Sequence, residues 1–426
     1  MSVGKPTPSQ RLGNVLRRLG PGLITGAADD DPSGIGTYSQ VGAQFGFGLA
    51  WTMLFTYPLM AAIQEICARI GRVTGHGIAG NMRKLYSPWI VRAVVVLLLI
   101  ANIANIGADL AAMGDALTLL VGGPAHLYVF LFAVGCAWLQ VYSRYDRYVA
   151  LLKWSTLSLF AYVATVLVVE MPWGKAFHDL VVPSLTLRKD YVLSIVALLG
   201  TTISPYLFFW QSSQEAEDER VAPEAKPLNR APAQAPAEFR RIRVDTYVGM
   251  AFSNLIALCI IFTTAATLNA HGVTDIDSSA KAAEALRPVA GPFAFAVFAA
   301  GIIGTGLLAV PVLAGSAAYA VGEALQWPTG LARLPHRAKA FYATIVVATL
   351  IGVAVNFLGI DPIKALFWSA VLNGVVAFPL MIVMMLMAMR ADIMGAFTLS
   401  WPLRALGWLT TAVMGVTVAT MLATSF

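Results

Sequence analysis

A chain of 426 residues with 58% apolar side chains, only 12% charged residues and a mean hydropathy of +0.71 excludes an ordinary soluble domain, which carries roughly a quarter charged residues. The net charge of +6 gathers in connecting loops and makes no basic stripe interleaved with aromatics, which argues against a nucleic-acid partner. Cys67, Cys136 and Cys259 are dispersed through apolar runs, with neither the pairing of a disulfide framework nor a metal-ligand spacing.

In chain order, residues 1–19 read as a polar, basic cytoplasmic tail, with Arg17 and Arg18 abutting the first apolar run. Apolar windows long enough to cross a bilayer then predict about eleven spans, near 20–43, 48–70, 91–119, 126–142, 148–169, 191–211, 245–269, 290–320, 339–358, 363–389 and 403–424. Arginine and lysine alternate between loops. Arg69, Arg72, Arg83 and Lys84 follow the second span, and Arg144, Arg147 and Lys153 surround the fourth connection. Arg220, Lys226, Arg230, Arg240, Arg241 and Arg243 follow the sixth, Arg333, Arg337 and Lys339 the eighth, and Arg390 and Arg404 the tenth. The intervening loops hold few. The positive-inside rule therefore predicts a multi-pass cell-membrane protein with a cytoplasmic N-terminus and an extracytoplasmic C-terminus.

One long polar segment, 212–243, reads as a Pro/Ala/Glu-rich cytoplasmic linker. It separates spans one to five (20–169) from spans six to ten (191–389), leaving 403–424 as an extra span. Five spans per half force the halves into opposite orientations, the inverted-repeat plan of many secondary transporters, whose broken helices line the substrate site. Both first spans carry a break: "DDDPSG" at 29–34 and "GTTISP" at 200–205. Pro and Gly release backbone carbonyls there, and a carboxylate adds a cation ligand. Asp31, directly before Pro32, is the principal candidate; its alternative role is to cap the helix that resumes after it. Thr201 and Ser204 supply hydroxyls and carbonyls from the opposite break, with Tyr206 and Gln211 following. Asp29 and Asp30 cannot both face the same ion as Asp31, because successive helical residues point about 100° apart; one lines the path while another caps or pairs.

The stretch "GPGLITGAADDDPSGIGTYSQVGAQFGFGLAW", followed by "GRVTGHGIAGNMRKLY", resembles the opening of the NRAMP family of divalent-metal transporters, with collinear order over spans one to ten. The resemblance implies the LeuT-like fold, transport without enzymatic chemistry or cofactor, and a divalent cation as cargo. Asp31 matches the family's metal-binding Asp, Gly34 stands where the family has Asn, and Ser204 where it has a metal-binding Met. Thr201 falls where a small residue offers its carbonyl. Gln211 replaces a His, and of the acids in the third span only Asp109 is kept, with Asn102 and Ala112 in place of two Glu. Asn254 matches a family Asn facing the path, and Asp30 and Ser33 flank the ligand. The departures resemble the NRAMP-related magnesium transporter branch.

Those losses have a chemical meaning. A thioether favours softer transition metals, so its removal leaves an oxygen site suited to Mg²⁺, which keeps most of its waters. Losing titratable groups on the third and sixth spans predicts import of Mg²⁺ and Mn²⁺ without proton coupling. A proton-coupled Mn²⁺/Fe²⁺ importer is the alternative, then a sodium-coupled organic-solute carrier on the same fold. A "DDD" cluster would repel the carboxylate of such a solute. An intramembrane aspartyl protease using Asp31 and Asp109 lacks the "GxGD" context of those enzymes. The expected partners are the lipid bilayer and the ion; no oligomeric state is specified, and a monomer is compatible with every feature.

Overall fold

The computed structural model describes residues 21–142, 155–222 and 224–425, and among them the chain is helical with no strand. The tail 1–19, with Arg17 and Arg18, and residues 143–154, with Arg144, Arg147 and Lys153, lie outside the described residues. The first span is two helices, α1 (Pro21–Asp29) and α2 (Pro32–Phe45), followed by α3 (Trp51–Thr74), a short α4 (Ile78–Leu85), α5 (Pro88–Val121) and α6 (Ala125–Tyr142). Then come α7 (Phe160–Val168) and α8 (Trp173–Val181). The sixth span is again two helices, α9 (Lys189–Thr202) and α10 (Pro205–Val221). The remaining long helices are α11 (Ala235–Thr267), α12 (Ala294–Ala324), α13 (Lys339–Val355), α14 (Pro362–Ala388) and α15 (Trp401–Ser425).

Eight helical stretches among the described residues are long and apolar enough to cross a membrane, or nine if a bent pair, Leu157–Val168 with Trp173–Val181, counts as one span. The three other expected spans differ for visible reasons. The first is interrupted by its carboxylates. The second, α3, is 24 residues long but carries Glu65, Arg69 and Arg72 in its last turns. The fifth begins outside the described residues and turns by 119° between Val168 and Trp173.

Both breaks are built alike. Asp31 (φ −70°, ψ 170°) and Ser204 (φ −76°, ψ 128°) are extended residues that precede a proline at the first position of the next helix. A residue before proline is pushed out of the helical region, while proline's fixed φ suits a first helical turn and its missing N–H is not needed there. The same dipeptide logic therefore ends one half-helix and starts the next in each span.

Close backbone packing holds the half-helices. A Cβ on Gly26 of α1 would strike the Gly249 backbone of α11, and one on Gly200 of α9 would strike the Ala370 carbonyl of α14. Small residues permit such approach where lipid supplies no hydrophobic drive between helices.

The segment 212–243, expected as a flexible linker, is mostly helical. α10 continues to Val221 and α11 starts at Ala235. Its charges are satisfied within the segment and by the end of α3. Glu215 pairs with Arg241, which also meets Glu238 at 3.0 Å, and Arg72 approaches Glu238 at 3.3 Å and Glu219 at 3.9 Å. Glu65 pairs with Arg69 at 2.5 Å, the local i, i+4 pair its spacing indicates. Only the stretch between Val221 and Ala235 is a connector, and it lies against the end of α3 through Leu228 N to Arg72 O and Asn229 N to Val73 O, both 3.2 Å.

Candidate metal centre

The two breaks meet at the middle of the bundle. A Cβ on Gly34 would lie 3.2 Å from Thr201 Oγ1, 3.2 Å from the Tyr38 ring and 3.3 Å from the Asp29 carbonyl. Gly34 is therefore where α2 touches the end of α9. The space that its missing side chain leaves is taken by Thr201 and Tyr38 rather than left open for a hydrated ion.

Asp31 combines both roles considered for it. Its Oδ1 accepts the Gly34 N–H at 2.7 Å, capping α2, and its Oδ2 accepts from Tyr206 Oη at 3.3 Å. Tyr206 also reaches the Ala28 carbonyl at 2.9 Å, tying the end of α1 to α10. An ionised carboxylate offers about four lone-pair sites, so these two contacts leave acceptor capacity for a cation. Asp29 and Asp30 are both held from α11. Ser253 Oγ lies 2.6 Å from Asp29 Oδ2 and 3.1 Å from Asp30 Oδ1, while Asp29 Oδ1 and Asp30 Oδ2 have no protein partner.

Asp109 on α5 faces the same break, within electrostatic reach of Asp31 and beside the Ser33 backbone. Neither of its oxygens makes a hydrogen bond of normal geometry among the described residues, nor do the Thr201, Ser33 and Thr37 hydroxyls. Asp29, Asp30, Asp31 and Asp109 are at most 2% exposed. None of the four has a lysine or arginine partner among the described residues. Buried carboxylates without a countercharge are costly in a membrane interior and mark ion paths.

The other sequence candidates are placed differently. Ser204 Oγ lies 2.9 Å from both the Gly200 and the Thr201 carbonyls, so its hydroxyl is turned back onto α9. Gln211 donates to Thr246 on α11 at 2.9 Å and so faces away from Asp31. Asn254 is half-buried with Oδ1 unpartnered, one position past the residue that meets the acids. No group of three or more His, Cys, Asp or Glu side chains among the described residues converges as a ready metal shell. The break offers a carboxylate, hydroxyls and carbonyls instead.

Two features were not legible beforehand. Ser253 reads as any small residue in an apolar span. Asn105 Nδ2 donates to Asn373 at 2.8 Å and Asn102 Nδ2 to the Leu313 carbonyl at 3.0 Å, leaving both asparagine oxygens unpartnered. Asn102, Asn105 and Asp109 recur at helical spacing, so one face of α5 carries a line of oxygens from the break.

A sequence model of the family described as natural resistance-associated macrophage protein-like matches residues 22–424. The chain belongs to the Nramp family. Among curated Nramp relatives, the divalent metal cation transporter MntH of Burkholderia ambifaria is 25% identical over 94% of this chain and 87% of its own length. The MntH of Deinococcus radiodurans is 25% identical over 92% of this chain and 86% of its length. Among solved structures, the Eremococcus coleocola manganese transporter in complex with a bis-isothiourea compound superposes with a TM-score of 0.73 at 17% identity, covering all of this chain and 89% of that one. MhsT in complex with L-phenylalanine gives a TM-score of 0.63 at 13% identity, covering 99% of this chain and 100% of that one. The fold is thus the LeuT-type helical bundle, and the chain is a divalent metal cation transporter of the Nramp family.

Proposed function

We propose that this Nramp protein imports hydrated Mg²⁺, with Mn²⁺ as a second substrate, by alternating access and without proton coupling. The observation that carries this reading is four buried carboxylates with no cationic partner, gathered where two broken helices expose hydroxyls and carbonyls. The ion is balanced mainly by Asp31, with Gly34, Thr201 and Ser204 contributing backbone or hydroxyl oxygens and Asp30, Ser33, Tyr206, Asp109 and Asn254 acting around it. Oxygen donors of this kind suit a hard cation that keeps part of its water shell. The arginine-rich end of the bundle then faces the cytoplasm, and residues 20–169 and 191–389 are the two inverted halves that rock about the site. A negative-inside potential supplies about 2.3 kcal/mol per charge per 100 mV, so roughly 4.6 kcal/mol for a divalent ion, enough for ~10³-fold accumulation without protons. Asn102 and Ala112 hold positions on α5 that carry acids in a proton-coupled design.

A softer ion has one observation in its favour. The Met113 thioether, one turn beyond Asp109, lies against Gly306, whose Cβ would in turn sit 3.3 Å from Pro32. Sulfur near the break favours Mn²⁺ or Fe²⁺ over Mg²⁺.

Purified protein in liposomes, with internal dyes for Mg²⁺, for Mn²⁺ and for pH, tests the reading. The expected result is potential-driven uptake of both ions with a flat pH trace. Acidification that scales with metal uptake overturns the uncoupled mechanism, and Mn²⁺ uptake without Mg²⁺ uptake overturns the choice of ion. Met113→Leu separates the two readings further. If oxygen ligands dominate, the Mg²⁺/Mn²⁺ ratio stays within about twofold, whereas Ser204→Met shifts it toward Mn²⁺ by about tenfold, the effect of roughly 1.4 kcal/mol. A large loss of Mn²⁺ uptake in Met113→Leu makes the thioether a ligand.

A further inference from the structure

The arginine-rich end contains two kinds of cation. Arg69, Arg72 and Arg241 are engaged by Glu65, Glu238, Glu219 and Glu215. Arg83, Lys84, Arg220 and Arg230 are exposed and form no ion pair among the described residues. These four come from three separate segments. Arg83 and Lys84 occupy the last turn of α4, Arg220 the last turn of α10, and Arg230 the connector that Leu228 and Asn229 pin to the end of α3.

All four lie within electrostatic reach of His76, whose loop meets α10 through Ile78 N to Ser212 Oγ at 3.2 Å and the connector where Gly75 abuts Pro227. Burial, reinforced by those cations, holds the His76 imidazole below its usual range. Two acids lie nearby and offset part of this charge: Glu219 is within electrostatic reach of Arg220 and Arg230, and Glu323 of Arg220 and Lys84. Glu323 accepts from Gly77 N at 3.1 Å, Gly80 N at 3.0 Å and Ser213 Oγ at 3.1 Å, and Glu219 faces Arg72. Arg220 Nε donates to its own helix at the Ala216 carbonyl (3.1 Å), leaving the guanidinium's outer N–H groups to solvent. Four exposed cations gathered by a pinned connector outnumber these two buried acids, so the arrangement is stabilised by a further anion between them.

We propose that Arg83, Lys84, Arg220 and Arg230 form a binding site for a phosphate-bearing anion, with the headgroup of an anionic lipid as its source. Guanidinium and ammonium groups are the standard partners of phosphate oxygens. Their depth favours the lipid. Trp89, four residues past the end of α4, is 76% exposed with Arg92 stacked at 5.2 Å from its ring, the placement of an interfacial tryptophan at headgroup level. The choice of the cytoplasmic leaflet rests on the orientation proposed above; the site itself does not.

The full chain, purified from membranes and exchanged into phosphatidylcholine nanodiscs with and without phosphatidylglycerol, is examined by native mass spectrometry. The probe variant is Arg83→Gln/Lys84→Gln/Arg220→Gln/Arg230→Gln. A charge-matched variant, Arg240→Gln/Arg337→Gln/Lys339→Gln/Arg404→Gln, removes exposed cations from the same end. The wild type and the matched variant are expected to retain phosphatidylglycerol through delipidation, and the probe variant to retain about tenfold less, since each basic group near the surface contributes several-fold to anionic lipid binding. Thermal stabilisation by millimolar inorganic phosphate or ATP in lipid-free detergent, lost in the probe variant, with no preference for phosphatidylglycerol, supports the anion site and overturns the lipid source. Equal lipid loss in both variants, or in neither without phosphate stabilisation, overturns the site. Arg83→Gln/Lys84→Gln alone provides the same comparison if the fourfold variant does not fold.

Discussion

Asp31→Ala is expected to abolish divalent-cation flux, lowering uptake by at least about a hundredfold while the protein still folds. The carboxylate holds Gly34 N at 2.7 Å and Tyr206 Oη at 3.3 Å. Removing a helix cap costs about 1 kcal/mol, which a bundle of this size tolerates. Asp31→Asn separates capping from charge. The amide keeps an oxygen to cap Gly34 but loses the negative charge that balances the ion. Its melting temperature should stay near that of the wild type while flux falls as far as in the alanine variant. Full flux in Asp31→Asn would make Asp31 a structural cap and move the ion site to the other carboxylates, Asp109 first, because neither of its oxygens makes a hydrogen bond of normal geometry among the described residues.

The second large effect is expected at Glu217 on α10. Its carboxylate accepts from Tyr319 Oη, from Leu331 N at 3.1 Å and from Ala332 N at 2.5 Å, holding the connector after α12 against α10. Gln214 Nε2 donates to the same Tyr319 hydroxyl at 2.9 Å. Hydrogen bonds to a charged group are worth about 1.5–3 kcal/mol each, so Glu217→Ala should favour opening of the arginine-rich end by a hundredfold or more. Alkylation of Ala216→Cys, in a background without Cys67, Cys136 and Cys259, by a membrane-impermeant reagent applied to that face reads the opening directly. Unchanged labelling would mean that the connector does not close the path.

The breaks were legible because proline acts locally: the residue before it must be extended and the residue after it can start a helix, so Asp31–Pro32 and Ser204–Pro205 announce themselves without tertiary information. Eight of the eleven expected spans follow from apolar length among the described residues; the others are interrupted, bent or charged, as in α3, whose Glu65 and Arg69 satisfy each other within one turn. The helical character of 212–221 was hidden because its glutamates look solvated in sequence. In the fold they meet Arg241 from the start of α11, and Arg72 and backbone amides that arrive from over a hundred residues away. At the site, Asp31, Gly34, Thr201 and Tyr206 come together as their spacing about the two breaks implies. Ser253 escaped notice beside Asn254, since one step along a helix turns the side chain by about 100° and only the packing of α1 on α11 decides which of the two faces the acids.

That packing recurs at every turn. Gly22 N reaches Asp245 Oδ2 at 2.8 Å, Gly26 abuts the Gly249 backbone, and Asp29 and Asp30 meet Ser253. The half-helix before the break is thus bolted to α11 along its whole length and cannot swing as a free lever. Whatever motion admits or releases the ion must either carry α11 with it as one stiff arm, with Asp31–Pro32 as fulcrum, or unzip three consecutive rungs together. In both cases the carboxylates and α11 act as one mechanical part, joined by direct contacts between residues 223 and 224 apart in sequence.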